Sequence, residues 1–404
     1  MRISQIIKEK IRSAARNFAP ILWRGWHRGI TSRWQNNSPF GHAPRHVLSD
    51  IIGHFRDNTS EGRVLMEMAP HAKENPLPEC QTAQLADAYS QLPAFDGIRV
   101  CVYQLQHARV FGGYAGMVVD RAGLIFQEST PYPWGTLCHP ALRRIRWPSA
   151  PASLSGKSAY LATPEATNNY YHFMVDCLPK LALLDRAKEP LDTFDQFIIN
   201  SSARFTNEVL QESGIPESKV IQLQSDTNLV VENLIVPEFQ GSHDGVEDWQ
   251  VEGVRRILAR WISNKVATKK IYAARGNARV RRVLNEEEVV RELALKGFEI
   301  VDPSNLTVQE QAEIFSQATL VVAPHGAALT NLLFCPPGAA VVEMVHPQVI
   351  NGFYRNISRA AGLRHHVFAG QGDHASNLAR HRANGADLSI DIPELLKFLH
   401  ESKL

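Results

Sequence analysis

Residues 319–331 read Thr319-Leu320-Val321-Val322-Ala323-Pro324-His325-Gly326-Ala327-Ala328-Leu329-Thr330-Asn331. An apolar, β-branched run ends in a tight Pro-His-Gly turn, and a helical pattern starts at once. A buried strand feeding straight into a helix is the unit of a parallel sheet, and open α/β sheets bind ligands at the carboxyl ends of such strands. The free N–H groups and positive dipole end of the helix suit a phosphate. Gly326 and Ala327 lack bulk, so a ligand can approach the backbone, and His325 adds a side-chain donor. The competing reading is an ordinary helix start with a structural histidine.

The alternation extends on both sides. Downstream, the pattern predicts a strand at 339–345, a helix at 351–362, a strand at 364–369 and a last helix at 391–402. Upstream it predicts helix 249–263, strand 270–274, helix 285–296, strand 298–301 and helix 307–318. Such regular alternation means a parallel sheet covered on both faces. An earlier block holds a strand at 98–102, a hairpin through 117–126, a strand at 158–162, a long helix at 168–187, then strands at 194–200 and 220–223 around a helix at 206–213. The Gly- and Asp-rich stretch 238–248 separates the blocks as a linker. The expected fold is α/β, with a basic tail at 1–34, an irregular lead-in at 35–95, one α/β lobe at 96–240, a second at 249–390, and a C-terminal helix at 391–404.

Composition supports a globular body. The chain has 404 residues, room for two or three domains, and 44% of them are apolar. The net charge is only +2, which argues against a nucleic-acid binder. That balance is uneven. Residues 1–34 hold eight Lys or Arg against Glu9 alone, a local charge of +7, so the remaining 370 residues carry −5. Ile3, Ile7, Ile11, Ala14 and Phe18 recur at helical spacing in this tail, followed by Trp23, Trp26 and Trp34. A cationic amphipathic helix with nearby Trp suits an anionic membrane surface; packing on the protein's own body or on a second copy is the alternative. Charges interrupt every apolar run there, so the sequence shows no secretory signal, and no stretch is apolar enough to span a membrane. The five cysteines (Cys80, Cys101, Cys138, Cys177, Cys335) are scattered, odd in number and unpaired in pattern, as free thiols in a reducing compartment would be.

Several chemistries lack their signatures. There is no P-loop, no G-x-S-x-G elbow and no H-E-x-x-H motif. Gly370-Gln371-Gly372-Asp373-His374-Ala375 imitates a dinucleotide fingerprint, but no helical pattern follows it closely, and a loop is expected. His365, His366, His374 and His381 have no zinc-like spacing. No Asp-x-Asp is present to hold a metal on a diphosphate.

Three further groups carry chemistry. Glu343 sits inside the apolar run 339–345, where an unpaired acid is costly; either a ribose diol or a local ion pair would satisfy it. Arg275, Arg279, Arg281 and Arg282 follow strand 270–274, before Asn285-Glu286. They read either as a bidentate clamp on a diphosphate, with Arg275 closest to the strand end, or as a solvated basic loop. His172 and Asp176 stand i and i+4 on one helix, either as a general base and its orienting acid or as a pair that fixes the helix.

Together these residues resemble glycosyltransferase family 61. The resemblance rests on Asn169-Tyr170-Tyr171-His172-Phe173 with Asp176 and Leu178-Pro179-Lys180-Leu181, on Arg275, Arg281-Arg282 and Asn285-Glu286, on Gly297-Phe298 and Glu310-Gln311, and on Pro324 to Asn331 with Phe334 and Glu343. It covers about residues 158–366 in matching order. Ala274 departs from it, since the family often has Ser before the arginine. The resemblance implies a GT-B-like fold, two Rossmann-like lobes facing a cleft, and inverting, metal-independent transfer from a nucleotide-sugar, UDP-linked in the usual case. The acceptor it implies is a glycan or lipid-linked glycan in bacterial capsular or surface polysaccharide synthesis. It implies His172 and Asp176 as catalytic groups, and Arg275, Arg281, Arg282, Asn285, His325, Gly326, Ala327, Ala328, Asn331 and Glu343 as donor-binding groups, with no metal and no separate cofactor. The expected location is cytoplasmic, peripheral on the inner membrane face through residues 1–34. Two other readings stand beside it: a nucleotide-sugar epimerase on the same two lobes, and a non-catalytic glycan-binding scaffold.

Overall fold

A computed structural model describes residues 46–48, 50–57, 62–70, 74–93, 95, 97–113, 116–126, 129–130, 151–239, 245–276, 278, 280–347, 350–372 and 385–404. The basic tail, Cys138, Arg279, His374 and His381 lie outside these residues. The strands are β1 (His46–Leu48), β2 (Gly62–Met68), β3 (Glu79–Cys80), β4 (Val100–Phe111), β5 (Met117–Val119), β6 (Leu124–Phe126), β7 (Ala152–Tyr160) and β8 (Gln196–Ile199). They continue as β9 (Val220–Gln222), β10 (Asn228–Phe239), β11 (Lys269–Ala273), β12 (Phe298–Val301), β13 (Ala318–Pro324), β14 (Ala340–Val345) and β15 (Arg364–Ala369).

The chain divides into two compact units: one takes Met1–Ala69 and Arg99–Gly241, the other Pro70–Ile98 and Ser242–Leu404. The first unit holds a nine-stranded sheet ordered β1-β6-β5-β4-β10-β7-β8-β9, with β2 also on β4. It is mixed rather than purely parallel, which corrects the Rossmann-like expectation for this lobe. The twelve-residue strands β4 and β10 run antiparallel along almost their whole length, while β10, β7, β8 and β9 run parallel. The β5–β6 hairpin falls where the sequence predicts it. Tyr103, Leu105, Phe126, Tyr160, Ile198 and Leu234 form the buried core of this unit.

The second sheet is wholly parallel, in the order β12-β11-β13-β14-β15-β3. From β11 the chain moves outward to β12, then crosses back to β13 on the other side. The reversal between β11 and β13 is a topological switch point, where open α/β sheets leave a crevice at the strand ends. Strands β13 and β14 are buried nearly throughout, which is why they read as continuous apolar runs.

Residues 35–95, read from sequence as irregular, hold β1, a helix at Ile51–Asp57, β2, β3 and a helix at Ala83–Ser90. The part from Pro70 onward belongs to the second unit. There β3 extends the parallel sheet beside β15, and Leu85 and Tyr89 pack on Val345 and Val367. Arg355 donates to the carbonyls of Asn75, Pro76 and Tyr89, anchoring the segment. The stretch expected as a linker begins inside a strand, because β10 runs to Phe239. Among the described residues Cys80, Cys101, Cys177 and Cys335 are free thiols, and no helix is long and apolar enough to cross a membrane.

Candidate functional site

The switch point gathers the residues that the sequence singled out in the second unit. β11 ends at Ala273 and delivers Arg275, whose backbone N–H donates to Glu286 Oε1 at 2.8 Å; Tyr272 donates its hydroxyl to the same oxygen at 3.1 Å. Gly276 takes φ +50, and a Cβ there would stand 2.3 Å from Asp302 Oδ2, so the turn after Arg275 requires glycine. Arg275 Nη2 donates to the Val280 carbonyl at 2.7 Å. The Arg275 guanidinium lies below the usual arginine range, first through burial and then through the like charge of Arg281. The Nε atoms of Arg275 and Arg281 are both buried and bond to no described residue.

The loop carrying these arginines is stitched to residues 385–390. Arg281 N donates to Gly385 O, Leu284 N to Leu388 O, and Leu388 N to Arg282 O. Arg282, exposed, forms a forked pair with Asp387, at 3.0 and 2.6 Å to one oxygen. Asn285 makes a two-way amide bond with the backbone of Ile390, at 2.8 and 2.9 Å. Arg282 and Asn285 therefore hold the loop in place, and among the described residues of this loop Arg275 and Arg281 are the arginines without such a tie to residues 385–390 through their side chains.

β13 ends at Pro324, one strand over. His325 follows, its N–H donating to Met344 O at 2.9 Å, and Ala327–Phe334 winds as a 3₁₀-helix rather than the expected α-helix. Ala327 is exposed and Ala328 half-buried, so the first turn keeps an open face. Gly326 serves a different partner from the one expected. Its backbone is extended, and a Cβ would stand 1.8 Å from Arg275 Nη1. The missing side chain makes room for the arginine. Asn331 is 0% exposed, its amide bonded to Gln311 Oε1 at 2.7 Å and to Ala328 O at 3.1 Å, so it braces the 3₁₀-helix from within.

Glu343 has no exposed surface. One oxygen bonds His325 Nδ1 and the other His365 Nε2, the latter at 3.0 Å. Of the two sequence readings, the structure shows the local pair, each carboxylate oxygen bonding one imidazole. Burial alone would raise this carboxyl; the hydrogen bonds and charges of His325 and then His365 outweigh it and hold it at about 2. The network continues from His365 Nδ1 to Ser358 Oγ at 2.9 Å, and from His325 Nε2 to Asn351 Nδ2 at 3.1 Å. Tyr354 meets the His325 ring edge-on at 5.0 Å and feels the charges of Arg281, Glu343 and Arg275. The imidazoles face carboxylate oxygens rather than a shared point, and no metal-binding group of three His, Cys, Asp or Glu forms among the described residues.

His365 was visible in the sequence only as one of a histidine cluster. Its signal was register. Val341 lies opposite His365 across β14 and β15, so Glu343, two residues on, shares that face. Asn351, Tyr354 and Ser358 gave no such signal.

In the first unit the expected long helix is three pieces: Tyr170–His172, a π-turn at Phe173–Cys177, and Pro179–Arg186. Pro179 has no N–H to donate, and the bond at this point instead runs from Leu178 N to Phe173 O. His172 and Asp176 still pair, Nδ1 to Oδ2 at 2.7 Å. The sequence reading missed Glu165, whose Oε2 lies 3.0 Å from His172 Nε2 and whose φ is +62. Burial pulls the His172 imidazole down, but hydrogen bonds to Asp176 and Glu165 outweigh it and raise it to about 9. At neutral pH His172 is thus a cation between two carboxylates.

The fold and site define a class: an α/β protein with paired arginines and an imidazole at the switch point of a parallel sheet. Residues 170–342 match the family described as Glycosyltransferase 61. The chain is also 31% identical over 111 residues to protein O-linked-mannose beta-1,4-N-acetylglucosaminyltransferase 2 of Takifugu rubripes. That alignment covers 25% of this chain and 18% of the relative, so the chain spans about a fifth of the length of the curated relative it matches. Both findings support the resemblance to glycosyltransferase family 61 and a glycosyltransferase reading.

Proposed function

We propose that this protein is an inverting glycosyltransferase of GT-B type, its two α/β units serving as the lobes. It moves a sugar from a nucleotide-sugar, UDP-linked, to a hydroxyl of a glycan or lipid-linked glycan in surface polysaccharide synthesis. The observation that carries this reading is the Arg275–Arg281 pair at the β11–β13 switch point. Two like charges held close, with both Nε atoms buried and no salt bridge to a carboxylate among the described residues, are stabilised by an anion. A diphosphate supplies two negative groups within reach of a planar guanidinium fork. As the leaving group gains charge, the same cations and the open 3₁₀ turn at Ala327–Ala328 stabilise it without a metal.

On the acceptor side, His172 and Asp176 are the proposed base and orienting acid. A base needs a bare nitrogen, so the step begins with an acceptor hydroxyl replacing Glu165 at His172 Nε2. The Nε2 proton leaves with Glu165 to solvent, so the ring becomes neutral; its bare Nε2 then takes the hydroxyl proton as the oxygen bonds the anomeric carbon and the nucleoside diphosphate departs with the electrons of the broken glycosyl bond. The basic residues 1–34 would hold the enzyme to the inner membrane face from the cytoplasm.

Thermal shift with UDP-, GDP-, CMP- and TDP-sugars tests the donor. A ligand at 100 times its Kd adds about 2.7 kcal/mol. Stabilisation by one nucleotide class supports the reading, and no shift with any of them points to a scaffold. Sugar conversion without an acceptor marks an epimerase. Retained liposome binding after deletion of residues 1–34 rejects the membrane role of the tail.

A further inference from the structure

Glu165 lies in the turn after β7, where the parallel strands of the first unit reverse direction. From β7 the chain moves outward to β8 and β9, and β10 returns on the other side of β7. Strand ends at such a reversal leave a crevice for ligands. Both ends of the turn are fastened. Thr163 and Asn200 exchange two hydrogen bonds, at 3.0 and 2.7 Å, and the buried Lys180 donates to the Ala162 carbonyl at 3.0 Å. Beyond Glu165, Ser201 Oγ donates to the Thr167 carbonyl, and Asn169 Oδ1 accepts the Tyr171 N–H. Between these anchors Glu165 takes φ +62, a left-handed backbone that glycine alone adopts without strain. Its side chain is 45% exposed, against 6% for His172 and 4% for Asp176. The carboxylate therefore covers, from the exposed side, the imidazole nitrogen that Asp176 does not hold. Asp176 and Glu165 are the charged groups that shift this ring. Tyr171 meets it edge-on at 5.2 Å, and Lys180, on the next helix, is turned to Ala162.

We propose that Glu165 is a strained, removable cover on His172 and a second catalytic group, which carries the Nε2 proton to solvent and keeps water from using the base when no acceptor is bound. This rests on the reading of His172 as the base. With the cover closed, the ring holds its proton and a water molecule finds no bare nitrogen, so a bound donor is not hydrolysed. An acceptor hydroxyl that displaces Glu165 opens the site, and the strained turn favours that release. The protons balance over one turnover. Glu165 leaves as the neutral acid and gives its proton to solvent. The bare Nε2 takes the acceptor proton, the acceptor oxygen bonds the anomeric carbon, and the glycosyl bond breaks with its electrons on the diphosphate. The Glu165 carboxylate then returns to the protonated ring. One proton has passed from the acceptor to solvent. The exposure of Glu165 suits this role, because a proton carrier must reach both the ring and water.

The cover is read in the full chain without ligand. Diethyl pyrocarbonate acylates a bare imidazole nitrogen, and mass spectrometry follows the reaction at His172 at pH 7. Wild-type His172 should react slowly. Glu165→Ala and Glu165→Gly should each react about tenfold faster, since the cover and one of the charges that keep the ring protonated are both gone. Wild-type rates in these variants overturn the proposal whatever the protein binds. The same two variants test the strain. Glu165→Gly should have a higher Tm than Glu165→Ala, the reverse of the usual order, because φ is positive at this residue. A lower Tm overturns the strained turn. Release of UDP from UDP-N-acetylglucosamine without acceptor then reads the catalytic role. Both variants should release it about tenfold faster than wild type, in step with the larger share of bare ring, and adding His172→Ala should cancel the gain. Faster acylation with unchanged UDP release overturns the role of Glu165 in holding water off. A gain that survives His172→Ala overturns the base reading instead.

Discussion

The guanidinium of Arg275 occupies the space that a side chain on Gly326 would need, with an added Cβ only 1.8 Å from Nη1. Two residues that the sequence presents as separate motifs, one after β11 and one after β13, are thus parts of one contact. Gly326→Ala should displace the flexible end of Arg275 without breaking the strand, since the backbone at 326 is extended and tolerates alanine. The expected result is a Tm close to wild type and nucleotide affinity about tenfold weaker by calorimetry. Unchanged affinity would remove Arg275 from the donor site.

Glu343 makes stability depend on acid. Its folded pKa, about 2, lies below the ordinary 4.5 of the group. Its contribution is therefore complete above 4.5 and is lost as the pH falls toward 2. Glu343→Gln should lower stability at pH 7 by about 1–3 kcal/mol, because one imidazole N–H then faces an amide donor. It should also flatten the decline between pH 4.5 and 2. Urea titrations across that range measure both effects.

His172 gives the opposite sign. Its pKa is raised from 6.5 to about 9, so the stability it contributes is full below 6.5 and fades as the pH rises through 9. Glu165→Gln removes one of the two carboxylates that raise it. The ring should then titrate at lower pH in an NMR titration, and the basic limb of that stability loss should move down with it. A titration identical to wild type would show that Asp176 alone sets the protonation of His172.

Asn285→Ala should act on the loop rather than on ligand chemistry. It removes both amide bonds to Ile390, which costs about 1–3 kcal/mol. Loss of donor affinity in Asn285→Ala should be relieved at saturating nucleotide, because the arginines themselves remain. Chemical denaturation with and without UDP separates the two.

The second sheet and its switch-point motif were legible because β11 to β15 follow local rules: buried runs alternating with amphipathic helices. The first sheet was less so. Antiparallel pairing of β4 with β10 joins residues more than a hundred positions apart, and nothing in either strand announces its partner. Among site residues, types were legible and directions were not. Asn285 and Asn331 belong to the motif, yet their side chains turn to Ile390 and Gln311, because a polar group near a turn is as useful to the backbone as to a ligand. Glu343 was recognised as an anomaly, but its partner His365 lies a strand away. The break around Pro179 is legible in the sequence, since a proline inside a helical pattern removes a bond that something else must replace; the π form of the replacement is not.

The family match at 170–342 takes in parts of both units and stops before β15 and without β3. A fragment cut to that match would end its parallel sheet on β14. One cut at residue 242 would keep β15 but leave its outer N–H and C=O groups bare, since the strand that covers them enters from residues 79–80. Bare edges recruit other chains. The short excursion Pro70–Ile98 covers part of that edge, and fragments prepared without it are expected to aggregate rather than to report on the site.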